Sequence, residues 1–401
     1  MEHTGITGNN HYTDTKSSPT GKRERMANLE LLRCVAMMMV VALHYLGKGN
    51  LLPDLAGESF GTGGTAAWLL ESFCIVAVNV YMFISGYFLG TSSFRLSRLV
   101  GLWLQVWAYS VTFGLLGAVT GVMRETVFDT HYLLTLLFPV SMEHYWFMTA
   151  YVFLYLLLPF VGVAAGRMTK RQLQTALGLL LFNFCFLKSI FPVRFEMDRV
   201  GYDCLWYLCV FLSAVYMRRF GCILFEKKGM GAGLYVGCCM LIFGGTMVLH
   251  GIYLRTGSLS HVLHLFQEYN HILPFLAAAG LFAAFYRMKI TGRAAGIINR
   301  IAPCTLGVYL LHENLGLRYT WQKWLGAEAV EAAVQGGGAV SIAVLLFGTA
   351  AAVLCVFACG IAVEMAGQGL FRILRRGLEH LSPCRKLFDK IGRTDQAFRE
   401  E

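Results

Sequence analysis

Charge is what this sequence has least of. Only 14% of its 401 residues are Asp, Glu, Lys or Arg, while 56% are hydrophobic and the mean hydropathy is +0.55. A soluble globular domain carries about 25% charged residues, so a water-soluble enzyme or carrier is excluded. The first 25 residues lack the short apolar stretch and small-residue cleavage site of a signal peptide. No fixed-period repeat, heptad seam or nucleic-acid motif is present either. Ten of the cysteines (Cys34, Cys74, Cys185, Cys204, Cys209, Cys238, Cys239, Cys304, Cys355 and Cys359) lie in apolar runs and are expected to be small buried hydrophobes, not bridges. His261 and His264 lack further ligands nearby and are expected to be loop histidines, so no metal site is anticipated.

What the sequence does have is a succession of long apolar runs. A hydrocarbon core of about 30 Å takes roughly 20 apolar residues as a helix. Ten stretches approach that length: 27–48, 66–90, 97–122, 145–166, 172–192, 203–217, 232–254, 271–287, 297–316 and 338–366, of which the sixth is short. The patch Tyr132–Val140 is too short to span and reads as a re-entrant or interfacial piece.

Basic residues test that count, because short cytoplasmic loops collect Lys and Arg. With the N-terminus inside, 25 of the 34 fall on cytoplasmic segments and 8 on outer ones, and Arg33 lies within the first run. The expectation is therefore an all-α, polytopic integral membrane protein of the plasma membrane with about ten spans and both termini cytoplasmic. Its parts would be a polar tail over 1–26, a ten-helix domain over 27–370 and a basic tail over 371–401. The net charge of +10 then reflects basic loops facing anionic lipid, and the bilayer, not nucleic acid, is the partner it indicates.

The first run, "LLRCVAMMMVVALHYLG", keeps Arg33 and His44 within an otherwise apolar helix. Eleven residues at 100° each amount to three turns plus about 20°, so the two share a face, roughly 16 Å apart along the axis. Glu30 stands three residues before Arg33, within reach for an ion pair. Snorkelling of Arg33 and a packing hydrogen bond at His44 would account for the pair without chemistry; intramembrane ionisable residues are functional more often than those of soluble proteins, and the pair alone leaves both readings open.

The stretch "LELLRCVAMMMVVALHY" resembles the opening helix of the membrane-bound acyltransferase-3 family, whose signature is an Arg and a His with ten residues between them. The likeness continues in "NVYMFISGYFLG", in the basic turn "FRLSR", in "YWFMTAYVFLYLLLP" and in "LGVYLLHENLG". The basic turn departs from the pattern in lacking the proline that often follows it, and no appended soluble domain is expected. The resemblance implies transfer of an acyl group, usually acetyl, from cytosolic acyl-CoA to a hydroxyl of a surface glycan or its lipid-linked precursor. It implies no permanently bound cofactor, acyl-CoA being a substrate.

On that resemblance, His44, Arg33 and Glu30 are the candidate catalytic group. Arg33, Arg95, Arg98 and Ser85 are candidates for binding the acyl-CoA donor, and Asn79, Tyr87, Trp146, Tyr309 and His312 are candidate substrate-binding residues. Each has a structural alternative: helix packing for Ser85 and Gly86, inner-loop charge for Arg95 and Arg98, an interfacial aromatic belt for Trp146, and a hydrogen-bond cluster for His312 with Glu313 and Asn314. His44 would act as general base or would itself carry the acyl group. The rival from another class is a transporter or flippase in which Arg33 and His44 line a polar path, although no internal symmetry accompanies it.

Overall fold

The structure, a computed structural model, describes residues 26–90, 92–121, 129–191 and 198–400. Apart from Met26, the expected N-terminal tail lies outside the described residues, among which there is no strand. In chain order the helices are α1 (Ala27–Lys48), α2 (Thr62–Cys74), α3 (Ala77–Leu89), α4 (Leu96–Val119), α5 (Thr130–Leu137) and α6 (Trp146–Arg167). Then come α7 (Lys170–Leu181), α8 (Leu187–Ile190), α9 (Cys204–Phe220), α10 (Ile223–Glu226), α11 (Met230–Thr256) and α12 (Ile272–Tyr286). The last are α13 (Gly292–Ile301), α14 (Thr305–His312), α15 (Trp321–Trp324), α16 (Ala327–Gly336), α17 (Gly338–Glu379) and α18 (Ser382–Glu400).

Nine helices or consecutive helix pairs among the described residues are long and apolar enough to cross a membrane. The remaining expected span is α9, which at 17 residues falls short of the roughly 20 that a full crossing takes. Hydrogen bonds nevertheless show α9 joining the two ends of the bundle. Lys188, at the end of α8, bonds Asn270 just before α12, so those termini share one level. Arg219 at the far end of α9 bonds the carbonyls of Ala165 and Met168, and Arg287 after α12 bonds those of Phe225 and Glu226, at the opposite level. Burial on nearly every side compensates for the brevity of α9: Trp206, Tyr207, Cys209, Val210, Phe211 and Ala214 are all but inaccessible.

The first helix is at the centre. Its apolar stretch is 67% buried and that of the α2–α3 pair 72%, against 22% for α4 and for α11. Because lipid is as apolar as a protein core, helices associate in it through close packing and hydrogen bonds more than through hydrophobicity. Small residues mark the tightest crossings here. A Cβ on Gly86 of α3 would lie 2.7 Å from the Phe211 carbonyl of α9, and one on Gly280 of α12 would lie 2.7 Å from the Gly231 carbonyl of α11. Gly307 of α14 admits Glu364 of α17 in the same way, since its Cβ would stand 2.5 Å from a carboxylate oxygen.

Two expectations need correction or refinement. Cys355 and Cys359 are exposed on α17, not buried, and Cys204 is half-buried; all twelve cysteines are free. The reason is that a lipid-facing residue has the same composition as a core residue, so apolarity alone does not report which way a side chain faces. Beyond residue 370, α17 continues to Glu379 and is followed by α18, which docks back on α4: the Asp395 carboxylate accepts from the Ser97 amide at 3.1 Å and from its hydroxyl, and Phe398 meets Phe94 edge to face.

Candidate active site

One cavity of about 230 Å³ runs along α1 and is lined by both Arg33 and His44. Ser85 of α3, Trp146, Phe147 and Met148 at the start of α6, and Tyr309 of α14 complete much of its wall. The sequence places Arg33 and His44 on one face by helical arithmetic, and the fold turns that face toward the gap between α3, α6 and α14.

At one end, Glu30 and Arg33 form an ion pair at 2.7 Å. Glu30 is buried while the Arg33 side chain keeps 27% exposure, and the Arg33 carbonyl accepts a hydrogen bond from the Tyr81 hydroxyl at 3.0 Å. One guanidinium nitrogen is thereby engaged by Glu30, and the remaining donors of a planar fork are available for an anion.

At the other end, His44 Nδ1 lies 2.9 Å from His312 Nε2 and 3.2 Å from a carboxylate oxygen of Glu313. His312 Nδ1 is 2.6 Å from the Val308 carbonyl, which can only accept, so that nitrogen carries the proton. In neutral His312, Nε2 is then an acceptor, and His44 Nδ1 must be its donor. By that chain of constraints neutral His44 holds its lone pair on Nε2, which forms no hydrogen bond among the described residues. The carbonyl of one helix thus sets the tautomer of a histidine on another.

Glu313 is buried and bonded by Lys48, one turn beyond His44 on α1. Arg318 adds a second positive charge near that carboxylate. Arg318 also donates to the carbonyls of Glu313 and of His144, at 2.9 and 2.6 Å, tying the turn after α14 to the segment before α6. Trp321 donates to the His312 carbonyl at 3.1 Å and stacks on Tyr45.

The ligand atoms of His44, His312 and Glu313 lie within 4.8 Å of one another, a grouping of the kind that holds divalent cations. Here those atoms already satisfy one another, with imidazole on imidazole and ammonium on carboxylate, so the arrangement reads as a hydrogen-bonded relay.

The other expected residues divide. Ser85, Trp146 and Tyr309 line the cavity, and His312 touches His44. Gly86 and Gly90, beside Ser85, press on Phe211 and Val215 of α9, so that motif serves both packing and the cavity. Asn79 is fully buried away from it, donating to the Tyr269 carbonyl and accepting from the Trp206 indole, each at 2.8 Å. Tyr87 packs on Phe282 with the Arg218 guanidinium 4.7 Å from its ring centroid. Arg95 and Arg98 are exposed at the start of α4, where Tyr155 donates to the Arg95 carbonyl, and neither lines the cavity. Lys48, one of the eight basic residues expected on outer segments, joins the site through Glu313; its place one turn after His44 is the signal for it in the sequence.

A family model described as an acyltransferase domain matches residues 26–361, and the chain therefore belongs to that acyltransferase-3 family. No curated protein and no solved structure matches it.

Proposed function

We propose that this membrane acyltransferase moves an acyl group, acetyl in the simplest case, from cytosolic acyl-CoA to a hydroxyl of a surface glycan or its lipid-linked precursor. The observation that carries the reading is the single cavity with Arg33 at one end and an oriented, proton-accepting His44 at the other. The excess of basic residues at the Arg33 end of the bundle supports placing that end, with both termini, in the cytoplasm. CoA phosphates would pair with Arg33 there, outside a cavity whose 230 Å³ suits the slender thioester arm and not the nucleotide.

At the His44 end the acceptor hydroxyl gives its proton to Nε2 as its oxygen attacks the acyl carbon. His312 and Glu313 keep the ring in the required tautomer and stabilise the imidazolium that forms, the part a buried carboxylate plays beside a catalytic histidine. Collapse of the tetrahedral intermediate breaks the carbon–sulfur bond, and the proton on His44 passes to the departing thiolate.

Labelled acetyl-CoA supplied to the cytoplasmic face of vesicles tests the proposal. Label appearing in lipid-extractable or wall glycan supports it; glycan crossing the membrane with no label transferred would replace it with transport.

A further inference from the structure

An acyl transfer that passes through an oxyanion needs donors aimed at the negative oxygen, a task distinct from the proton transfer at His44. Resting on that function, the geometry points to an oxyanion hole built from the Tyr309 hydroxyl and the first-turn amides of α6.

Three observations meet at this point. Tyr309 is 5% exposed, it lines the cavity, and its buried hydroxyl donates to no acceptor among the described residues, the Phe147 amide facing its oxygen. A buried hydroxyl proton without an acceptor costs free energy unless a ligand completes it. Next, α6 is a 22-residue helix whose N-cap, Tyr145, makes no side-chain capping bond. The first amides of a helix have no acceptor within it, and its dipole favours negative charge at that end. Trp146, Phe147 and Met148, which own those amides, all line the same cavity as His44. Finally, the ring of Tyr309 lies edge-on to His312, centroids 6.1 Å apart, while His312 touches His44, so donors and base stand at one level.

The surroundings hold this end of α6 still. Tyr145 donates to the Leu310 carbonyl at 3.0 Å, and Asn314 donates to the Tyr145 hydroxyl at 3.0 Å. His144 is kept neutral by burial, its pKa lowered to about 3; its Nδ1 is 2.9 Å from the Ser110 hydroxyl and its Nε2 accepts from the Leu315 amide at 3.1 Å. Preorganised donors of this kind need not reorganise when charge develops, which is why they favour a transition state over a ground state.

In the reaction, the alcohol oxygen bonds to the acyl carbon, the carbonyl π pair moves onto its oxygen, and the alcohol proton goes to His44 Nε2. Tyr309 and the α6 amides donate to that O⁻ without transferring a proton. Return of the electron pair re-forms the carbonyl and expels the thiolate, which takes the proton from His44. Tyr309 is therefore a catalytic residue, and it leaves the step unchanged.

Tyr309→Phe is the test, because it deletes one oxygen and keeps the ring. Expected is a fall in kcat on the order of 10²- to 10³-fold, the usual loss of one oxyanion donor. The KM for acetyl-CoA should stay within about threefold, and Tm should be unchanged or higher because an unpaired buried group has been removed. A kcat within threefold of wild type overturns the inference. So does a rate loss accompanied by a lower Tm or by loss of acetyl-CoA binding, either of which would make the hydroxyl structural. Failure of the wild-type protein itself to transfer label overturns the underlying function instead, and that is seen before any variant is made.

Discussion

His44 Nδ1 and His312 Nε2 lie 2.9 Å apart although 268 residues separate them in the chain. The contact requires His312 to present an unprotonated nitrogen, and the Val308 carbonyl at 2.6 Å ensures that it does. His312→Phe removes this anchor while keeping a planar ring. Turnover should fall on the order of 10²-fold as His44 loses its fixed tautomer, with acetyl-CoA binding retained. Steady-state kinetics beside a direct binding assay separates the two; equal loss of both would assign His312 to the donor site.

The Lys48–Glu313 pair is nearly water-free on its carboxylate side, where the side chain is 5% exposed. Removing one partner leaves a buried charge uncompensated, which typically costs about 3–5 kcal/mol. Glu313→Ala should therefore lower the detergent-solubilised melting temperature sharply, and Lys48→Met combined with Glu313→Gln should recover much of it. A double variant no better than Glu313→Ala would show that the pair is not what stabilises this end.

For Arg33, the prediction concerns the donor alone. Arg33→Ala should weaken acetyl-CoA binding roughly 10- to 100-fold, the equivalent of about 1.5–3 kcal/mol for a charged hydrogen bond. Arg33→Lys should restore only part, since an ammonium lacks the bidentate fork. Equilibrium binding of labelled acetyl-CoA measures both, and full binding by Arg33→Ala would remove Arg33 from the donor site.

Docking of α18 should respond to acid through Asp395. Burial opposes its ionisation, but hydrogen bonds from Ser97 prevail and hold its pKa below the ordinary value. A group depressed in the folded state contributes stability above its unfolded pKa of about 3.9 and loses that contribution as pH falls through the folded value. Protection against hydrogen exchange over 382–400, taken relative to the intrinsic rate at each pH, should thus fall below about pH 4, and Asp395→Asn should show the lower protection at neutral pH. Identical exchange in wild type and variant would place the docking elsewhere.

Much of the site was legible in one helix. The 100° step put Arg33 and His44 on a common face, and Glu30 three residues earlier forms the ion pair that spacing allows. Trp146, Tyr309 and His312 were recognisable by resemblance. Their convergence was not, because α14 reaches α1 only through tertiary packing that no local period encodes. Asn79 and Tyr87 sit in the recognisable motif yet bond outward to Trp206, Tyr269 and Arg218, partners that the sequence does not reveal. That the Tyr309 hydroxyl proton has no acceptor among the described residues is likewise a property of tertiary neighbours.

Acyl transfer by this mechanism depends on His44 as the base. Purified His44→Ala, assayed with labelled acetyl-CoA and acceptor under saturating donor, measures that claim directly. The predicted result is a loss on the order of 10²- to 10⁴-fold in turnover, with membrane insertion and acetyl-CoA binding preserved, because the phosphates are held some three helical turns away at Arg33. A hydrogen bond that serves only packing inside a membrane is worth about 0.6 kcal/mol on average, or roughly threefold. Retention of more than about a third of wild-type turnover would therefore contradict the catalytic assignment and leave His44 a packing residue.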